Sequence, residues 1–324
     1  MKKFILSLLT IYLFIPISVF AYSDYIMASG QNIGIELKAN HVLIVGSYKI
    51  GNYNVLTDTK LKIGDKITKI NDTEIKNIEQ MQEIINKYDK KTINITYLRG
   101  TKEYTEEIPI YKENGEYKTG LYVKDTIRGV ATLTYIDVKN NNLFGALGHE
   151  IIEKSTKSKF DSNKGTIFSS TVTGITKSSN GDPGEKNARS NSSIVYGTVS
   201  ENTESGIFGT YTSSLPNSKL YKVANPSEIK QGNAKILTVI SENKVEEFDI
   251  NIIRINENSD SKNILFEVTD KELLNKTGGI VQGMSGSPII QGDNIIGAVN
   301  FVLVDSTNKG YGIFITNMLE EAEN

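Results

Sequence analysis

Short runs rich in β-branched residues, separated by clusters of Gly, Asn, Ser or Asp, fill most of the chain after residue 119. Examples are GVATLTYIDV, SSIVYGTV, AKILTVI, FDINIIRI and NIIGAVNFVLV. Evenly spaced strands with polar turns between them predict a β sandwich or barrel. The length suits two packed units of six strands. We therefore predict a mostly-β domain over residues 119–324.

Residues 30–110 show a different pattern, in which strands surround one helix. Apolar residues recur every three or four positions from Ile75 to Tyr88, which predicts an amphipathic helix. Arg99-Gly100 marks the turn of a closing hairpin. The stretch LKIGDKITKINDTEIKNIEQMQEII resembles the core of a bacterial PDZ domain. The resemblance implies an α+β PDZ domain at residues 22–111, followed by a polar linker at residues 112–118.

PDZ domains bind an extended peptide by adding it as a strand beside a loop and a helix. The resemblance assigns SGQNIGIEL, residues 29–37, to the loop and strand of that groove. Ile33, Gly34 and Ile35 are therefore the predicted peptide-binding residues. A groove that is empty, or that docks the neighbouring domain, is the alternative.

The N-terminus reads as an export segment. Two lysines precede an uncharged apolar run, and Val19 and Ala21 provide the small residues of a cleavage site after Ala21. The run is also near the minimum length for a membrane span. Residues 1–21 are thus predicted to be a signal peptide or a membrane anchor, and the remainder is expected to work outside the cytoplasm.

The composition removes several classes of function. Lys and Arg number 36 against 38 Asp and Glu, so no basic surface for nucleic acid is expected. The chain has no cysteine, and its histidines are His41 and His149. Thiolate chemistry and histidine-rich metal sites are therefore excluded, and no metal or cofactor is predicted.

The stretch TGGIVQGMSGSPII, Thr277–Ile290, carries the clearest chemical signal. A tight turn around Ser285 can aim the N–H groups of Gly283 and Ser285 into one small space, which would form an oxyanion hole. The order Gly-x-Ser-Gly-x-Pro resembles the signature of chymotrypsin-like peptidases. It is not a nucleophile elbow, because Ser287 stands where glycine would be needed. An ordinary turn is the alternative.

A serine nucleophile needs a neighbouring base. His149, in LFGALGHEII, precedes Ser285 in the chain, as the histidine does in chymotrypsin-like enzymes. His41 falls in a predicted PDZ strand, so His149 is the predicted base. A purely structural His149 and a Ser–Lys dyad stay open as alternatives.

Taken together, these stretches resemble the stage IV sporulation protein B peptidase family. The segments that carry the resemblance are LGHEI, NGDPGEK, GTVSENTESGIFG, TDKELLNKTGGIVQGMSGSPIIQ and GYGIF. The resemblance implies a PDZ domain followed by a chymotrypsin-like double β-barrel peptidase domain. It also implies an exported, membrane-associated serine endopeptidase in the space between the forespore and mother-cell membranes.

The family's site residues carry over to this chain by position. They imply Ser285 as nucleophile, His149 as base and Asp270 as the triad acid. Other aspartates stay open for the last role: Asp161, Asp182, Asp249 and Asp260. The chain departs from the family pattern in GVATLT (residues 129–134), in Glu150 after the histidine, and in Asn300-Phe301, where the family has a second histidine.

The resemblance further implies partners. A membrane-bound regulatory protein would be the substrate, together with the enzyme itself, and its cleavage would release intramembrane processing of a late mother-cell sigma factor. The PDZ domain would hold the protein's own N-terminal segment or that partner, and the N-terminal segment would contact the membrane surface. Two alternatives remain: an exported PDZ scaffold with an inactive peptidase domain, and a general envelope quality-control protease.

Overall fold

The computed structural model describes residues 22–88, 91–162 and 164–323. Strands dominate these ranges, as expected for the mostly-β domain predicted over residues 119–324. The strands are β1 Tyr25–Ala28, β2 Asn32–Ser47, β3 Lys66–Ile70, β4 Thr73–Glu74, β5 Thr92–Arg99, β6 Lys102–Pro109, β7 Tyr111–Glu113, β8 Glu116–Lys118, β9 Leu121–Asp137, β10 Leu143–Ala146, β11 Ile152–Glu153, β12 Ser158–Lys159, β13 Lys164–Thr176, β14 Glu185–Thr203, β15 Gly206–Tyr211, β16 Leu220–Val223, β17 Gly232–Val239, β18 Val245–Ile255, β19 Ile264–Val268, β20 Pro288–Gln291, β21 Asn294–Val302 and β22 Lys309–Phe314. The helices are α1 Val55–Asp58, α2 Ile78–Lys87, α3 Lys271–Thr277 and α4 Ile315–Glu321, with a 3₁₀ turn at Pro226–Glu228.

The predicted export segment, residues 1–21, lies outside the described residues. Among the helices that the structure does describe, none is both long and apolar enough to cross a bilayer.

Six strands close a first ring through antiparallel pairs. Its order is β2, β9, β10, β15, β14, β13 and back to β2. Side chains alternate across a strand, so Ile33, Ile35 and Leu37 of β2 all point inward. They are fully buried beside Leu133 and Phe144. We call this ring the first barrel.

A second ring has the order β17, β18, β19, β22, β21, β20 and back to β17. Its core includes Phe248 and Phe266. When the six strands of each ring are numbered by their position in the chain, both rings have the same order of neighbours: first, second, third, sixth, fifth, fourth. We call this ring the second barrel.

The two barrels share an apolar seam. Ile26 of β1, Tyr221 of β16 and Met318 of α4 are buried there with residues from both rings, among them Phe208 and Leu237. Apolar burial along this seam holds the barrels in one orientation. Residues contributed jointly by the two barrels can therefore form a stable site.

A smaller unit is inserted into the first barrel. Strand β2 leaves the ring after Lys38, and its second half buries Val42 and Ile44 in a separate core with Ile67, Met81 and others. Helix α2 and the β5–β6 hairpin occur where the sequence predicted them. We call residues 40–124 the inserted unit. The expected domain boundaries are thereby corrected, because residues 25–38 belong to the peptidase body rather than to a preceding domain.

The expected linker at residues 112–118 is also corrected. Strands β7 and β8 form a hairpin there, with Asn114 and Gly115 in its turn, both at positive φ. The hairpin docks on α2, since Gln82 Nε2 donates to the Tyr117 carbonyl and Asn86 Oδ1 accepts the Tyr117 N–H. A polar stretch that reads as a connector is therefore a packed element.

The structure also corrects the predicted peptide-binding strand. Ile33, Gly34 and Ile35 pair with β9 on one edge and with β13 on the other. A side chain at Gly34 would collide with the ring of Phe168, so β13 packs closely here. Strand addition requires a free edge. These three residues have none, and the prediction for them is wrong.

Candidate active site

Ser285 lies in the loop between α3 and β20, on the second barrel. Gly283 and Gly286 adopt φ values of +94° and +92°, a conformation that glycine allows at little cost. These two positions bend the chain on either side of the serine. The half-buried Ser285 Oγ donates to the carbonyl of Asn300 at 3.2 Å.

The loop leaves two N–H groups available. Met284 donates to Val281, Gly286 to Val299 and Ser287 to Met284. In the described part of the chain, the N–H groups of Gly283 and Ser285 have no acceptor. A pair of unpaired amides flanking a serine is the arrangement that can receive an oxyanion.

Two threonines of β9 hold this loop from the first barrel. Thr132 Oγ1 donates to the carbonyl of Gly283 at 2.9 Å, and the Thr132 N–H donates to the carbonyl of Ser285 at 3.1 Å. Thr134 Oγ1 donates to the carbonyl of Gly286 at 2.8 Å. The 283–284, 285–286 and 286–287 peptide groups of the serine loop are therefore anchored across the barrel interface.

His149 follows a tight turn after β10, on the first barrel. Leu147 and Gly148 both have positive φ, +72° and +75°. The Nδ1 atom of His149 lies 2.8 Å from the carbonyl oxygen of Glu150. A carbonyl oxygen can only accept, so Nδ1 carries the proton and Nε2 has a free lone pair. This is the tautomer that a general base requires.

Burial lowers the pKa of His149, and the hydrogen bond to the Glu150 carbonyl and the Glu150 charge oppose that shift only in part. The imidazole is therefore neutral, and able to accept a proton, at neutral pH. Its ring stacks on Phe301, with centroids 5.5 Å apart and planes 19° apart.

The structure brings the two turns into contact. A Cβ atom at Gly286 would collide with the carbonyl oxygen of Thr132 and lie 2.5 Å from the backbone nitrogen of Leu147. Asn300 accepts the Ser285 hydroxyl, while its neighbour Phe301 stacks on His149. The loops that carry Ser285 and His149 thus meet at the junction of the two barrels, which we call the candidate cleft, with the hydroxyl turned toward Asn300.

Asp270 is not brought to this cleft. Its Oδ1 accepts the Leu273 N–H at 2.8 Å, which makes it the N-cap of α3. The pKa of Lys235 on β17 is raised mainly by its hydrogen bond to Glu247, and the Asp270 charge adds to that shift. The carboxylate that acts on the pKa of His149 is that of Glu150. The structure thus corrects the expectation of a triad acid at this position, because a helix start needed an acceptor there.

The other candidate aspartates are engaged elsewhere. Asp161 pairs with Lys66 at 2.6 Å, Asp249 lies 3.9 Å from Lys235, and Asp182 accepts the Gly184 N–H. Asp260 lines a cavity of about 620 Å³ with Glu204 and Glu320. Across residues 22–88, 91–162 and 164–323, no group of three or more His, Asp or Glu side chains could hold a metal ion.

Sequence reasoning missed Lys186. The stretch at residues 169–193 reads as a polar surface excursion, but residues 169–176 and 185–191 are paired strands. Lys186 is buried on β14 and its backbone N–H donates to the Gln282 carbonyl, next to the serine loop. The segment NGDPGEK, which ends at Lys186, contributed to the family resemblance but had no predicted role. Nothing in the sequence around a single lysine shows that its side chain is buried.

Comparison with known families bears on the same cleft. The sequence matches the family described as SpoIVB peptidase S55 over residues 115–319, which is more than half of the chain. The chain belongs to the SpoIVB peptidase S55 family. It is therefore a serine peptidase, and both His149 and Ser285 fall within the matched range. No curated protein matches the chain.

Proposed function

We propose that this SpoIVB-type peptidase is an exported serine endopeptidase of sporulation, with Ser285 as nucleophile, His149 as base and the N–H groups of Gly283 and Ser285 as oxyanion hole. One observation carries the proposal. The serine loop with its two unpaired amides packs directly against the turn that carries His149. The two closed rings of six strands favour a chymotrypsin-like double barrel as the scaffold.

The proposed chemistry uses the groups of the cleft in turn. Ser285 Oγ turns from Asn300 and attacks the carbonyl carbon of the scissile peptide while its proton moves to His149 Nε2. The carbonyl oxygen becomes an oxyanion and accepts the N–H groups of Gly283 and Ser285. The imidazolium then gives its proton to the leaving amine, and water repeats the sequence on the acyl-enzyme. The Glu150 carbonyl keeps Nδ1 protonated throughout.

The substrate and location rest on the family. We propose that the enzyme cleaves a membrane-associated regulatory protein, and itself, between the forespore and mother-cell membranes. Its N-terminal segment would keep it at the membrane surface.

For peptide capture, we propose a groove in the inserted unit rather than the barrel strand. A cavity of about 160 Å³ lies between α2 and the start of β9, lined by Met81, Ile85, Leu121 and Val123 among others. The apolar lining beside a strand would suit the chain's own N-terminal segment, bound as PDZ domains bind peptides.

A fluorophosphonate probe tests the catalytic assignment. Wild type should be labelled, and Ser285→Ala should not. His149→Ala should slow labelling by at least about a hundredfold, because the hydroxyl loses its base.

Two matched controls separate chemistry from folding. Ser287→Ala changes a buried hydroxyl of the same loop that has no partner among the described residues, and His41→Ala removes the other histidine. Both should label as wild type does. Labelling that survives Ser285→Ala would overturn the nucleophile, and a folded wild type that never labels would favour an inactive PDZ scaffold.

A further inference from the structure

The most unusual ionisable group outside the proposed triad is the amine of Lys186. It is enclosed between the barrels, and its Nζ atom contacts two threonine hydroxyls, Thr238 Oγ1 at 2.9 Å and Thr132 Oγ1 at 3.3 Å. Thr238 lies on β17 of the second barrel and Thr132 on β9 of the first. Neither threonine is exposed to solvent.

The aliphatic stem of Lys186 supports the serine loop. A Cβ atom placed on Gly283 would lie 3.2–3.3 Å from the Cβ, Cγ and Cδ atoms of Lys186. The Lys186 backbone N–H also donates to the Gln282 carbonyl at 2.9 Å. The stem of Lys186 therefore contacts Gly283, and its backbone binds Gln282. The peptide group between these two residues carries the Gly283 N–H of the proposed oxyanion hole.

The hydrogen bonds around the amine form a chain that needs no charge on Lys186. Thr132 Oγ1 donates its proton to the Gly283 carbonyl, so it accepts from Lys186. Lys186 Nζ also donates to Thr238 Oγ1. A neutral amine has two N–H groups, which is enough for both hydrogen bonds.

We propose that Lys186, as an uncharged amine, is a positioning residue that holds Thr132 against Gly283 and so keeps the oxyanion hole formed. The inference rests on the proposed function of Ser285. It adds a residue that contacts neither the substrate nor the reacting atoms.

The surroundings account for the neutral state. Burial lowers the pKa of Lys186 to about 7. The groups that face it from β9, β17 and the serine loop are Thr132, Thr238 and the Gln282–Gly283 backbone, none of which ionises. Its neighbour Glu185 is exposed, and the nearby titrating group of the cleft is His149.

This arrangement has a consequence for pH dependence. As pH falls through the pKa of Lys186, the amine gains a charge that the site cannot compensate, and the loop loses its support. Below the pKa of His149 the base is lost as well. Activity should therefore fall with two protonations rather than one, and the acid limb should be steeper than a slope of one in a plot of log rate against pH.

The test is the rate of fluorophosphonate labelling as a function of pH. Lys186→Met keeps the unbranched stem but removes the amine, and Lys235→Met is the control, an exposed lysine on β17. Lys186→Met should label about tenfold more slowly at alkaline pH, because a loosened hole costs less than a lost donor. Its acid limb should have a slope of one, from His149 alone. Lys235→Met should keep the wild-type profile.

A second measurement covers a variant that fails to fold. Wild-type protein with isotope-labelled lysine should show one side-chain resonance that titrates near neutral pH. Wild-type rate and slope in folded Lys186→Met, or titration of every lysine above about 10, would overturn the proposal. Failure of wild type to label at alkaline pH would instead contradict the proposed function of Ser285.

Discussion

At the scale of single residues, residue type and local sequence predicted the roles of His149 and Ser285 but not those of every residue near them. Scarcity made His149 the natural base, because the chain offers one other histidine. The glycines around Ser285 pointed to a turn with exposed amides, and neither amide has an acceptor among the residues that the structure describes. Asp270 and Lys186 could not be assigned in this way. Whether an aspartate caps a helix or a lysine is buried depends on distant strands, which no local pattern records.

The helix-capping role of Asp270 gives a prediction at the scale of single residues. Asn is as good an N-cap as Asp, so Asp270→Asn should label within about twofold of the wild-type rate, while Asp270→Ala should lose about 1 kcal/mol of stability. The measurements are labelling kinetics and thermal unfolding of both variants. A hundredfold slower rate in folded Asp270→Asn would show that this carboxylate reaches the imidazole during the reaction.

At the scale of elements, periodicity predicted the type of most segments and missed how they pair. Helix α2 and the β5–β6 hairpin follow directly from residue spacing. Strand β2 does not, because its buried apolar residues between Ile33 and Ile44 belong to two different cores. A strand pattern states which face is apolar but not which strands occupy its edges. The peptide-binding prediction failed for that reason.

The hairpin at residues 111–118 illustrates the same limit. Its polar composition suggested a linker, yet Asn-Gly is a strong hairpin turn and its strands dock on α2. The Asn-Gly turn could be predicted from the sequence. The contact with α2 could not, since the docking depends on the amide side chains of Gln82 and Asn86.

At the scale of the whole molecule, two barrels with the same order of strand pairing place the proposed base and nucleophile on facing loops. His149 follows the third strand of the first barrel, and Ser285 precedes the fourth strand of the second. The sequence shows no repeat, because apolar alternation can be satisfied by many residues. The inserted unit leaves and re-enters the first barrel at neighbouring positions, Lys38 and Thr126.

That geometry predicts which truncation is tolerated. Replacing residues 39–125 by Asn-Gly would join the paired residues Lys38 and Thr126 through a two-residue turn. The barrels should still fold and Ser285 should still label. Deleting residues 30–110, which follows the domain boundary suggested by sequence, removes a strand of the first barrel and should abolish folding. Circular dichroism and labelling of the two truncations distinguish the outcomes, and the reverse result would contradict the insertion.

The central claim is that His149 takes the proton of Ser285 Oγ while the amides of Gly283 and Ser285 bind the oxyanion of the carbonyl that Oγ attacks. The most direct measurement is a crystal structure of the fluorophosphonate adduct. The account predicts a bond to Ser285 Oγ, with the phosphoryl oxygen about 2.7–3.1 Å from both amide nitrogens and His149 Nε2 facing Oγ. An adduct on Ser285 whose oxygen points away from both amides, with the imidazole out of hydrogen-bond reach, would contradict it.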